Sequence, residues 1–138
     1  MVDLQNLGYS IVQVAHNFGA AAVVGGASFM LFMAPQPVPL QRKFAWLVGI
    51  GWGTQALSGM AFGAISLYYY GAFPDIHGVA IAALVTKMLC AVSGLAVVML
   101  YLRYAGGWAD RQRHIAWEIL FALGATALTA AAFLRWFS

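Results

Sequence analysis

Charged side chains are scarce in this sequence. Its 138 residues hold seven Lys and Arg and four Asp and Glu, 8% in all, against 63% hydrophobic residues. Soluble domains carry about a quarter charged residues, so this chain cannot coat a water-facing catalytic lobe. The net charge of +3 is spread thinly along an apolar chain, which makes no nucleic-acid patch. There is one cysteine, Cys90, which excludes a disulfide and a cysteine-based metal cluster within one chain and reads as a small core residue. No span holds two histidines at a helical ligand spacing, so the sequence lacks the signal of a bis-histidine diheme bundle, and more than one haem would strain the ligand supply. Met30, Met33, Met60, Met88 and Met99 form no common face and no paired thioethers, which argues against a dedicated copper pathway.

What is abundant is apolar sequence, with a mean hydropathy of +0.82. The expectation is an all-α integral membrane protein, a single transmembrane domain over residues 1–138 with a bundle of four spans at about 7–34, 44–70, 76–102 and 115–137. Pro35, Pro37 and Pro39 end the first stretch. Gly71 and Pro74 break the second, with Pro74 and Asp75 placed to start the third, and Gly106-Gly107 ends the third. The N-terminus lacks a basic leader, so the first stretch is expected to remain as a span. Gly49 with Gly53, and Gly59 with Gly63, form small-xxx-small pairs expected to bring backbones together.

Orientation follows from the cations. Arg42, Lys43, Arg103, Arg111 and Arg113 fall in the first and third connections, against Arg135 at the opposite surface. Those connections are expected to face the cytoplasm of a bacterial inner membrane, with both termini on the periplasmic side. Tyr9, Tyr68, Tyr69, Tyr70 and Trp136 read as the outer aromatic belt, and Trp46, Tyr101, Tyr104, Trp108 and Trp117 as the inner one.

Chemistry must come from polar groups inside the spans, where a charged side chain costs about 2.5–3.5 kcal/mol. Lys87 in the third span and His16 in the first fall at similar depth from the outer side, and Asn17, Gln55, Ser58, Thr126 and Thr129 lie near that level. A bundle-facing imidazole suits axial ligation of haem iron. His77 is the candidate second ligand, and Lys87 either pairs with a propionate or ligates as a neutral amine. The bland readings are a His16 bonded to a neighbouring helix, an interfacial His77 and a structural Lys87. His114 and Glu118 share a helix face as an interfacial ion pair, with a quinone or proton-relay site as the alternative.

The order of features resembles a known superfamily. A histidine within Ala15-His16-Asn17-Phe18-Gly19, Arg42 opening the second span with Gly59 later in it, a lysine within Val85-Thr86-Lys87-Met88-Leu89 and a charged start to the fourth are similar to CopD-type copper-resistance membrane proteins and HemJ-type protoporphyrinogen oxidases. The resemblance implies a four-helix module in which His16 and Lys87 support haem b in the oxidase branch, or copper handling in the other. The chain departs from the oxidase pattern where Tyr101 and Arg103 stand in place of a further histidine, and it lacks the methionine and histidine wealth of copper carriers.

The expected function is a haem b-binding, cytochrome b-like subunit moving electrons within the membrane, as a homodimer or as part of a membrane redox complex, with a quinone as a possible partner. The alternatives are a porphyrinogen oxidase, a copper transport or resistance protein, and a cofactor-free structural subunit. Its candidate site comprises His16, Lys87, His77, Asn17, Gln55 and Ser58, with His16 and His77 as metal ligands.

Overall fold

Asp3 opens the first helix, its carboxylate accepting the Gln5 amide at 3.0 Å and so satisfying one of the free donors of the first turn. The computed structural model describes residues 3–137, and these form four helices: α1 Leu4–Phe32, α2 Val38–Tyr70, α3 Val79–Tyr104 and α4 Asp110–Phe137, with a short 3-10 turn at Ala105–Gly107 and no strand among the described residues.

The first and third breaks are shorter than the sequence led us to expect, and the second is longer. α1 ends at Phe32, but the proline run does not hold an extended path as far as Pro39. Pro37 caps α2 and Pro39 sits in its first turn, where the missing N–H has no intrahelical partner to lose. α2 therefore begins at Val38 and not near residue 44. It closes on Gly71 at φ +66°, a left-handed cap that glycine adopts without a Cβ clash. Pro74 and Asp75 do not start α3; Gly78, at φ +51°, precedes its first residue, Val79.

The helices form a ring in which α1 packs on α2, α2 on α3, α3 on α4 and α4 on α1, leaving α1 and α3 facing each other across the diagonal. α1, α3 with its 3-10 extension, and α4 are each long and apolar enough to cross a membrane. α2, at 33 residues, is longer, but its face is diluted by Gly, Trp, Tyr, Ser, Thr and Gln. The outer surface carries Phe18, Val92, Met88 and Leu89, all exposed, a surface that suits hydrocarbon.

Close approaches occur at glycines. A Cβ at Gly19 would stand 3.1 Å from the Gly51 carbonyl, one at Gly26 2.8 Å from Val48, and one at Gly94 2.4 Å from the Trp52 indole. Of the expected glycine pairs, Gly49 meets Val98, whereas Gly53 and Gly59 meet nothing within 4 Å and Gly63 touches only Phe73. The α1–α2 crossing runs through Gly51 because α2 is rotated to present that face.

The helix ends that carry Gln41, Tyr101 and Trp117 are tied by polar groups. Tyr101 donates to Gln41 Oε1, and the Trp117 indole lies 3.3 Å from that oxygen and 3.2 Å from the Tyr101 hydroxyl. Arg42 donates to the Leu102 carbonyl at 2.7 Å, and Arg113 donates to the Ala105 and Trp108 carbonyls while pairing with Asp110. Arg42 thus occupies a carbonyl of the last turn of α3, and Arg113 ties the 3-10 turn and Trp108 to the start of α4.

Candidate functional site

Three helices bring their polar residues together inside the bundle. His16 projects from α1, Ser58 and Gln55 from α2 one turn apart, and Lys87 from α3. The Ser58 hydroxyl donates to the Thr54 carbonyl at 2.5 Å, with the Gln55 carbonyl at 3.3 Å. Its single proton is thereby committed, so the oxygen accepts from His16 Nδ1–H at 2.7 Å. Gln55 Nε2 donates to the His16 backbone carbonyl, and the Phe62 ring meets the imidazole edge-on at 5.7 Å between centroids. The ring is fixed in position and tautomer, with Nε2 bearing the lone pair.

Lys87 Nζ stands 3.5 Å from that Nε2, at the outer limit of a hydrogen bond. It reaches His16 across the diagonal of the ring, so the pair lies at the bundle axis. Lys87 is eight residues past Val79, about 12 Å along α3. The chain has four acidic residues, and the ion pairs among the described residues use Asp75, Asp110 and Glu118 with other partners. Lys87 therefore has no carboxylate to balance its charge.

The other candidates fall elsewhere. His77 lies in the loop before α3 and not in its first turn; its side chain is 80% exposed and pairs with Asp75 at 3.3 Å. Asn17 is exposed and accepts from Gln13 at 2.6 Å, turned about 100° round α1 from His16 and outside the cluster. Thr126 and Thr129 line an open groove of about 450 Å³ between α3 and α4. His114 pairs with Glu118 at 3.4 Å near the start of α4. Among the described residues, no three His, Cys, Asp or Glu come together as a metal-binding group.

No family model, curated protein or solved structure matches this chain. The functional reading rests on the site alone.

Sequence reasoning missed two features. The Trp52 indole N–H is buried without a partner one turn inward of Gln55, beside a void of about 20 Å³. The Gln41–Tyr101–Trp117 network borders a groove of about 490 Å³ whose lining includes Met30, Met33, Arg111 and His114. The residue types were visible in the sequence, but nothing in their spacing pairs Gln41 with residues sixty and seventy-six positions away.

Proposed function

We propose that the chain is a four-span haem b protein of the bacterial inner membrane, with both termini outside, that carries electrons within the bilayer. One observation carries this reading: an imidazole whose Nδ1 is held by Ser58 and whose Nε2 faces, across the bundle axis, a lysine without an anion. A fixed Nδ1–H with a free Nε2 is the form in which histidine ligates a metal. The lysine supplies either a counter-charge for a propionate or a second nitrogen donor. The donor set fits the group on these chemical grounds. His16 would hold the iron, Ser58 would fix the imidazole, Gln55 would anchor the His16 backbone and Lys87 would meet the carboxylate or the iron. Bound there, haem would supply a one-electron couple.

The His77 pairing with Asp75 in the exposed loop leaves it outside this ligand set. The inner groove between α1 and α4, apolar at Met30 and Met33 and polar at Gln41 and His114, is where a quinone headgroup could exchange electrons with such a carrier.

The test is a reduced-minus-oxidised visible spectrum of protein purified from haem-replete cells. A b-type alpha band is expected, abolished in His16→Ala and retained in His77→Ala. A colourless, well-folded preparation would remove the reading, and stoichiometric copper in that preparation would favour the copper alternative.

A further inference from the structure

α1 turns a row of neutral polar side chains away from its own bundle. Gln13 and Asn17 are exposed and one turn apart, joined by the 2.6 Å bond from Gln13 Nε2 to Asn17 Oδ1. Asn17 is thirteen residues past Leu4 in a helix of 29, close to its midpoint. In a helix that crosses a bilayer, that is the depth farthest from water.

A primary amide has two donor hydrogens and a carbonyl acceptor. The bond within α1 uses one hydrogen of Gln13 Nε2 and the oxygen of Asn17; Asn17 Nδ2 and Gln13 Oε1, besides the second Gln13 hydrogen, have no partner among the described residues. Hydrocarbon cannot satisfy any of these groups, and each unsatisfied group costs several kcal/mol there.

The row continues at the same four-residue step through Ala21 and Gly25, both exposed. Gly19 and Gly26 are closed by α2, but a side chain at Gly25 would meet nothing within 4 Å, so its smallness serves no contact inside this chain. Residues four apart form the helix ridge used in right-handed crossings, and Ala21 with Gly25 forms the small-xxx-small pair that lets two backbones approach.

We propose that the Gln13-Asn17-Ala21-Gly25 row is a homodimer interface, α1 against α1 of a second copy, closed by a ring of four amides. In that ring each Asn17 Nδ2 donates to the second copy's Gln13 Oε1. The occupant is a second copy because each chain offers both an unbonded donor, Asn17 Nδ2, and an unbonded acceptor, Gln13 Oε1, which complement each other under a two-fold axis. Copies inserted in the same sense place that axis along the membrane normal, bringing equal depths together. The row is also uncharged, so two copies do not repel. The interface is separate from the His16 cluster, and it stands whether or not haem binds there.

The test is disulfide cross-linking of the full chain in membranes, in a Cys90→Ser background, with single cysteines at Ala21→Cys, Gly25→Cys and, on α3, the exposed Met88→Cys. A homodimer band is expected under mild oxidation at positions 21 and 25 and not at 88. Adding Gln13→Leu and Asn17→Leu together should weaken self-association about tenfold while helix content by circular dichroism is unchanged. No dimer band, a band as strong from position 88, a dimer undiminished by the leucine pair, or a band containing a different protein would each overturn the interface.

Discussion

At the scale of single residues, His16 and Lys87 stood out in the sequence because ionisable groups deep in apolar helices are costly. Their depth was legible from counting residues, and they do meet at 3.5 Å. Asn17, next to His16 in sequence, is turned away from the cluster and exposed, because neighbouring residues in a helix point about 100° apart. Gly94 went unremarked in the sequence, yet it is where the bundle is tightest. A Cβ there would stand 2.4 Å from both Nε1 and Cε2 of Trp52, whose ring is buried and cannot retreat. Gly94→Ala is therefore expected to cost about 1–3 kcal/mol by overpacking, read as a lower melting temperature in detergent. Gly59→Ala, into open space, should leave stability unchanged or raise it by up to about 1 kcal/mol. Equal effects of the two substitutions would contradict the packing described.

At the scale of helices, the breaks were readable wherever Gly or Pro has a single steric consequence, as at Gly71. They were misread where a residue has two uses. Proline both ends helices and starts them, and at 35–39 it does both within one turn's length. Rotation about each helix axis was the larger gap. α2 and α3 carry no amphipathic stripe, so their sequences do not say which face turns inward. The polar tie between helices depends on that rotation. Gln41 on α2 accepts from both Tyr101 on α3 and Trp117 on α4, two almost wholly buried donors. Gln41→Leu is expected to cost about 1–3 kcal/mol because it strands the buried Tyr101 hydroxyl while Trp117 keeps the Tyr101 oxygen, and Tyr101→Phe about 1 kcal/mol because Gln41 and Trp117 still bond each other. Denaturation of the two variants in the same detergent compares these costs, and a larger loss in Tyr101→Phe would sink the account.

At the scale of the whole molecule, the cations gather at one end of the ring. Arg42 and Arg113 bind carbonyls there while Arg103 and Arg111 stay exposed. With the positive end inside, Phe73→Cys in the exposed 71–78 loop should react with an impermeant maleimide added to intact cells. Gly107→Cys should react only after permeabilisation. The reverse pattern would invert the topology, and labelling of both sites in intact cells would refute four spans. The single native cysteine, Cys90, is buried and gives little background.

Composition and linear spacing by themselves determined that this chain is helical, apolar and segmented, and that His16 and Lys87 lie at one depth. Those properties depend on rise per residue and on the cost of moving charge into hydrocarbon, both of which act along one dimension. Tertiary structure alone decided that His16 and Lys87 face each other across the bundle axis, that His77 and Asn17 stand apart, and that Gly94 and not Gly59 is the tight contact. Each of these depends on how a helix is turned about its own axis. In helices apolar on every side that angle is set by the packing of the neighbours, as Trp52 against Gly94 sets it here.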